Sequence, residues 1–113
     1  MEGSLREQAL ASTRNFKRKD AEAFGIKMQL RQLSAGAVKD IALRQDKADP
    51  SIHANVWWII GTAFDPETNQ RIFEWSDAEG INGLFVGDVN ALADQAIELN
   101  SANKTTEDAA KNS

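Results

Sequence analysis

Every other part of the fold must be arranged around an uninterrupted run of five large apolar residues in mid-chain, Val-Trp-Trp-Ile-Ile at 56–60. A segment that is apolar on every side needs cover on every side, so we predict that it lies at the centre of the fold. Its secondary structure stays open at this point. As a helix over 52–64 it presents one apolar face, made of Ile52, Val56, Ile59, Ile60 and Ala63. As a strand it has the β-branched and aromatic side chains that favour a buried strand.

The clearest strand signal is an alternation of apolar and polar residues at Ile26, Met28 and Leu30. These three side chains fall on one face of a strand, and the polar residues between them fall on the other. One buried face and one solvated face are typical of an antiparallel or small mixed sheet. We therefore predict a strand near 25–32, and a second short strand near 71–74 that pairs with it.

Capping signals place helices in the first half of the chain. Residues 4–7 have the Ser-x-x-Glu spacing of a capping box, which predicts a short helix over 4–12. Ser34 is predicted to cap a helix that ends near residue 47. Asp49-Pro50 combines a capping residue with proline at the first helical position, which predicts that another helix starts there.

In the rest of the chain, residues 13–23 are charge-rich and are predicted to be a connector. Ser76 and Glu79 repeat the capping-box spacing and predict a brief helix. Asp88 is predicted to cap an amphipathic helix near 88–99. Its apolar stripe consists of Val89, Leu92, Ala93, Ala96 and Ile97.

Together these elements predict an α+β fold, mostly helical, with a small β-sheet or hairpin. A chain of 113 residues fits one domain, which we place at residues 1–99. Residues 100–113 hold no large aromatic or branched apolar side chain and are predicted to form a polar, flexible tail. No stretch approaches 18 consecutive apolar residues, and the N-terminus has no apolar signal-peptide core, so we expect a soluble cytoplasmic protein.

The net charge of −4 divides unevenly along the chain. Residues 1–47 hold ten Lys and Arg against six Asp and Glu, whereas residues 48–113 hold three against eleven. An acidic protein is poorly suited to nonspecific nucleic-acid binding. The asymmetry suggests a head-to-tail contact between the basic part of one copy and the acidic part of the next. The alternative is that the two halves neutralise each other within one fold.

The chain lacks the residues that several catalytic and metal-binding chemistries require. The chain has no cysteine and one histidine, His53, which excludes a disulfide framework, a thiolate zinc site and a histidine-rich metal site. The glycines at 80–87 have no Lys or Arg between Arg71 and Lys104 to bind a phosphate. We expect no catalytic residue, no metal and no cofactor, and therefore no enzyme.

The three tryptophans are the candidate protein-binding residues. Trp57 and Trp58 are adjacent, so their indoles cannot both point the same way, and Trp75 adds a third. Partly buried tryptophan is enriched at protein interfaces. We predict that Trp57, Trp58 and Trp75 bind another protein. The alternative is that neighbouring elements cover them.

Four segments, in one order, resemble the small tail assembly chaperones of lambda-like siphophages. They are Ser-Leu-Arg-Glu-Gln-Ala-Leu-Ala-Ser at 4–12, Phe-Gly-Ile-Lys-Met-Gln-Leu-Arg-Gln-Leu-Ser-Ala-Gly at 24–36, Ala-Phe-Asp-Pro-Glu-Thr-Asn-Gln-Arg-Ile-Phe at 63–73 leading into Ser-Asp-Ala-Glu at 76–79, and Ile-Glu-Leu-Asn at 97–100. Members of this family often follow Leu-Asn with glycine, whereas this chain has Ser101.

The resemblance implies a mostly helical α+β fold with a helix over 50–63. It also implies a protein of the host cytoplasm that binds the tape-measure protein during tail morphogenesis, self-associates into a ring or spiral, and is absent from the mature virion. In this family a programmed ribosomal frameshift yields a longer form whose extension recruits the tail-tube protein. Lys111-Asn112 is compatible with such a slippery codon pair. No nucleic acid, membrane or small-molecule substrate is implied.

Two other functions stay open from the sequence. One is a structural minor tail or connector protein of the virion. The other is a small ligand-binding domain or enzyme that uses Asp77, Glu79 and His53.

Overall fold

The computed structural model describes residues 4–12 and 16–101, which form one antiparallel sheet and five α-helices. The helices are α1 Leu5–Leu10, α2 Ala35–Lys47, α3 Ala54–Thr62, α4 Ala78–Asn82 and α5 Val86–Asn100. The strands are β1 Arg18–Ala23, β2 Ile26–Arg31, β3 Ala63–Asp65 and β4 Gln70–Arg71, in the order β1-β2-β3-β4. A 3₁₀ turn, Trp75–Asp77, precedes α4. This is the α+β fold that the sequence predicts.

The apolar run at 56–60 lies at the centre of the fold, as predicted. It belongs to α3, in which Val56, Ile59 and Ile60 have no exposed surface. Helix α3 contacts α2, α4 and α5 and also touches β2. The sequence left residues 52–64 open as either a helix or a strand, and the structure contains both. The helix ends at Thr62, and the chain continues directly into β3.

The predicted connector at 13–23 is wrong for residues 18–23, which form β1. A two-residue turn, Phe24-Gly25, joins β1 to β2, and both residues have positive φ, 56° and 78°. Such a turn matches the twist of a hairpin, and glycine favours its second position. Strand β1 is one of the two edge strands, and its charged residues face solvent while Ala21 and Ala23 pack against the core. Because residues 18–23 are rich in charge, their composition did not indicate a half-buried edge strand.

The predicted pairing of the strand near 71–74 with β2 is also wrong. Strand β4 pairs with β3, which in turn pairs with β2. The turn between β3 and β4 closes with Asn69 at φ 62° and with the Asn69 amide donating to the Asp65 carbonyl, 2.8 Å. Beyond Arg71 the pairing continues with one bond, from the Ile72 amide to the Ala63 carbonyl, 3.1 Å.

Two predicted helix starts are confirmed. The Ser4 hydroxyl accepts a hydrogen bond from the Glu7 amide, 3.2 Å, at the start of α1. The Ser34 hydroxyl accepts one from the Ala37 amide, 3.1 Å, at the start of α2, which ends at Lys47 as expected. In both cases a side-chain oxygen satisfies an amide that the first turn leaves free.

The start predicted at Asp49-Pro50 is wrong. The Asp49 carboxylate accepts from the Ser51 amide, 2.9 Å, which forms a turn, and this hydrogen bond lowers the pKa of Asp49 below its ordinary value. Helix α3 starts four residues later, at Ala54. His53 is its cap, with Nδ1 accepting from the Asn55 amide, 3.1 Å.

Two later starts are shifted along the chain. The brief helix predicted from Ser76 exists as α4, but Asp77 accepts from the amide of Glu74, 2.8 Å, so the capping contact lies two residues earlier. Asp88 does not cap α5, which starts at Val86 with Phe85 as its N-cap. Asp88 instead lies in the first turn, where a carboxylate favours the helix dipole.

The stripe of α5 forms the second half of the core, as predicted. Val89, Leu92, Ala93 and Ala96 are buried, and α5 packs on β1, β2 and α3. Gly61 allows α2 to approach α3 closely, because a Cβ there would lie 2.7 Å from Cδ1 of the buried Ile41.

Asn100 fastens the end of α5 to the sheet. Its Oδ1 accepts from the Leu33 amide, and its Nδ2 donates to the carbonyls of Arg31, 3.3 Å, and Ala96, 2.9 Å. Asn100 is the first residue of the predicted tail and the last residue of α5. The tail from residue 102 onward, including Lys111-Asn112, lies outside the described residues.

Replacing Asn100 with alanine is expected to lower the free energy of unfolding by about 2 kcal/mol, because the part-buried Leu33 amide loses its acceptor. Urea unfolding measures this change. Gln95→Ala is the matched control, since the Gln95 amide donates to Ala91 within the same helix. We expect that control to lose less than about 0.5 kcal/mol. Equal losses in the two variants would contradict the fastening role of Asn100.

Candidate protein-binding site

Two of the three predicted tryptophans come together. Trp57 on α3 and Trp75 in the turn before α4 have ring centroids 6.3 Å apart, with 32° between the ring planes. Trp57 is buried, at 8% exposure, and Trp75 is half-buried. Trp75 reaches the α3 backbone, because a Cβ on Gly61 would lie 3.6 Å from its Cη2. Trp57 therefore supports Trp75 from the core side.

Two arginines contact the Trp75 ring. The Cζ of Arg44 lies 4.2 Å from the ring centroid and that of Arg71 lies 5.0 Å from it. A guanidinium over an indole is attracted by the negative face of the ring, which restrains the side chains and leaves the surface positive. Arg44 also forms an ion pair with Asp40, 3.4 Å, one helical turn earlier.

A shallow cavity of about 380 Å³ opens along α2, with Trp57 and the Arg44–Asp40 pair in its lining. Leu43 lines it and is 45% exposed, and Lys47 adds a second cation. Amphipathic surfaces of aromatic, aliphatic and basic side chains suit contacts with other polypeptides. We call Leu43, Arg44, Lys47, Arg71 and Trp75 the tryptophan surface.

Trp58 is not part of the tryptophan surface, and the ring contact described above joins Trp57 and Trp75. It follows Trp57 on α3, so its side chain leaves the helix about 100° away. It is half-buried and packs against the core. The protein-binding role of Trp57, Trp58 and Trp75 stays a prediction.

A second exposed surface was missed by the sequence analysis. Leu84, Phe85 and Val86 are 41%, 84% and 63% exposed. Helix α4 ends just before them, where the Gly83 amide donates to the carbonyls of α4, and α5 starts at Val86 with Phe85 as its N-cap. The link between the two helices is so short that these three side chains point outward. We call Leu84–Val86 the Phe85 surface.

Cavities flank the Phe85 surface on both sides. One, of about 570 Å³, lies between it and the β1–β2 hairpin, with Phe24, Glu22 and Asp88 in its lining and no Lys or Arg among the lining residues described. The other, of about 290 Å³, is lined by residues that include Pro50 and His53. The first cavity is apolar with an acidic rim.

A sequence signal for the Phe85 surface exists but is ambiguous. Leu84-Phe85-Val86 stands between Gly83 and Gly87, in a stretch with no Lys or Arg from residue 72 to residue 103. Three adjacent apolar residues normally indicate burial. Only the packing of α4 and α5 leaves them uncovered.

Two of the three side chains that would serve an enzyme, His53 and Asp77, have backbone partners. His53 Nδ1 caps α3 and the Asp77 carboxylate accepts from the Glu74 amide. The residues that line the cavity beside His53 include neither Asp77 nor Glu79. Across residues 4–12 and 16–101, no group of three or more His, Cys, Asp or Glu side chains is placed to hold a metal ion. In those same ranges, no helix has both the length and the hydropathy that crossing a membrane requires.

The described fold is a small α+β domain, and it is similar to the fold of a solved phage tail assembly chaperone. The solved structure of the bacteriophage HK97 tail assembly chaperone superposes with a TM-score of 0.56, covering 84% of this chain and 95% of that one at 22% sequence identity. No protein-family model matches the sequence, and no curated protein matches it.

Proposed function

We propose that this protein is a phage tail assembly chaperone that binds the tape-measure protein during tail morphogenesis and self-associates around it. The observation that carries this proposal is the fold shared with the HK97 tail assembly chaperone over most of both chains. The two exposed surfaces of the described domain support it on physical grounds.

A chaperone of this kind needs two separate contact surfaces. Long amphipathic helices expose apolar stripes that aggregate before a tail tube encloses them. Coating such a client takes many copies, so each copy needs one surface for the client and another for its neighbours. The tryptophan surface and the Phe85 surface are formed by different elements, α2 with the turn at Trp75 in one case and the α4–α5 link in the other.

We assign the client to the tryptophan surface. Its exposed Leu43 and half-buried Trp75 offer apolar contact area, and Trp75 is held in place by Trp57 beneath it and by two arginines. A restrained aromatic side chain binds with little loss of conformational entropy, which is why tryptophan is frequent among interface hot spots.

Leu43→Asp is expected to reduce capture of the tape-measure protein at least about 10-fold, because it places a charge in the centre of the apolar contact. The two full-length proteins are co-expressed, and the client recovered with the tagged chaperone is quantified. Ile26→Asp is the matched control, since Ile26 is 41% exposed and lies outside both surfaces. Circular dichroism checks that both variants fold. Full capture by Leu43→Asp would place the client elsewhere, and no capture by the unaltered chain would overturn the proposed function.

The proposal extends to the life cycle of the particle. The chaperone acts in the host cytoplasm and is absent from purified virions, whereas a minor tail or connector protein is retained in them. Mass spectrometry of particles separates these two functions. A longer form made by frameshifting, with an extension that recruits the tail-tube protein, requires a slippery heptamer across codons 110–112. Any other lysine codon at position 111 contradicts it.

A further inference from the structure

We propose that the Phe85 surface of one copy binds helix α1 of a second copy. This inference rests on the proposed function for its biological meaning, because it assigns the contact between copies that coating a client requires. It starts from Phe85, which is 84% exposed although phenylalanine is among the residues most often buried. An apolar segment flanked by two cavities marks a site where another polypeptide packs.

The chain itself contains a matching apolar element. No residue of α1 is buried, and Leu5 and Leu10 are 83% and 65% exposed. At about 100° per residue, Leu5, Ala9 and Leu10 fall within an arc of about 140° on the helix. The six-residue α1 therefore presents an apolar face that the described residues of its own copy leave exposed.

Charge complements the apolar match. Arg6 lies within the apolar arc of α1, and Glu22 and Asp88 line the cavity beside Phe85. That cavity has two carboxylates and no cation among its described lining residues, while Lys27, which stands opposite Glu22 in the β1–β2 pair, lies outside that lining. Lys17, Arg18 and Lys19 follow α1 in the sequence and make this part of the chain basic. Opposite charges on the two surfaces favour this contact over one between two identical surfaces.

The contact is heterologous, since a different surface is used on each copy. Such contacts repeat from copy to copy and give rings or open spirals, whereas a self-complementary surface stops at a dimer. One short helix against one cavity is a small interface. We therefore expect weak, concentration-dependent association that increases at low ionic strength.

The test uses two full-length variants that each lose one half of the contact. Phe85→Ser removes the central side chain of the Phe85 surface. Serine is a favoured N-cap residue for α5, so the fold is retained. The double variant Leu5→Ser with Leu10→Ser removes the apolar face of α1, and both leucines are exposed in the unaltered chain. In sedimentation velocity at about 20 mM NaCl, each variant alone is expected to associate about 30-fold more weakly than the unaltered chain.

Mixing the two variants provides the decisive measurement. Each retains the half that the other lacks, so an equimolar mixture is expected to form one-to-one heterodimers and nothing larger. Charge reversal gives an independent check: Arg6→Glu weakens association, and Glu22→Lys in the partner copy restores it. Ile26→Ser, at a 41% exposed residue outside both surfaces, is the matched control and leaves association unchanged.

Three results would overturn the inference: an unaltered chain that stays monomeric at high concentration and low salt, variants that still associate alone, or a mixture without heterodimers. The capture experiment with the tape-measure protein distinguishes failure of the α1 contact from failure of the proposed function. Capture of the tape-measure protein together with any one of these three results overturns the α1 contact alone. Heterodimers without any capture support the contact and overturn the chaperone role.

Discussion

Shortening Leu30 to alanine is expected to lower the free energy of unfolding by about 3–4 kcal/mol. Leu30 is fully buried in β2, the strand on which both α3 and α5 pack, and it pairs with Ala63 of β3. The change removes buried methyl groups and leaves a cavity that the surrounding elements cannot fill without moving the sheet. Since small domains are stable by about 5–15 kcal/mol, this loss is a large part of the total.

Urea unfolding followed by tryptophan fluorescence measures the effect, and the midpoint is expected to fall by about 2 M. Leu43→Ala is the matched control, because the same side chain is deleted from a site that is 45% exposed. We expect that variant to lose less than about 1 kcal/mol. A loss at Leu30 no larger than the loss at Leu43 would mean that β2 is not at the centre of the core.

Gly61→Leu is expected to destabilise the domain by about 2–3 kcal/mol through overpacking. A Cβ at this position would lie 2.7 Å from Cδ1 and 3.2 Å from Cγ1 of Ile41, and Ile41 is buried with little room to turn away. The added side chain also meets Trp75, whose Cη2 would be 3.6 Å from the new Cβ. The variant should therefore change the fluorescence of the folded protein as well as its unfolding midpoint.

Gly36→Leu is the control for Gly61→Leu. Gly36 lies at the exposed start of α2 with nothing within 4 Å of a new Cβ. Leucine is a better helix former than glycine, so this variant is expected to be as stable as the unaltered chain or up to about 1 kcal/mol more stable. If Gly61→Leu also proved neutral, α2 and α3 would have to pack less closely than the structure has them.

Local patterns predict α1, α2, α5 and β2 of this protein well, and they predict β1 poorly. Ser4 and Ser34 cap helices where expected, because capping uses side-chain and backbone groups within three residues of each other. The stripe of α5 is also a local pattern. Strand β1 has no such signature, since its burial at Ala21 and Ala23 comes from α5 and β2 packing beside it.

The candidate site shows the same division. Trp57 and Trp75 could be selected from the sequence as aromatic residues, but their contact at 6.3 Å depends on how the turn before α4 meets α3. Phe85 could not be selected, because the same three apolar residues would be core residues if any element covered them. Exposure depends on the arrangement of neighbours and is not a property of a short segment.

The sequence by itself determined that residues 56–60 are central, that a strand lies near 26–31, and that α2 and α5 are helices. The predicted burial along β2 is wrong at two positions, because Ile26 is 41% exposed and Gln29, expected on the solvated face, is buried. Helical hydrogen bonds and apolar periodicity connect residues three or four positions apart, so a linear sequence carries them. Only the tertiary structure decided the sheet order, the edge strand and the two exposed surfaces. Strand pairing and surface exposure join segments far apart in the chain, such as β2 with β3, and their free energy exists only once those segments meet.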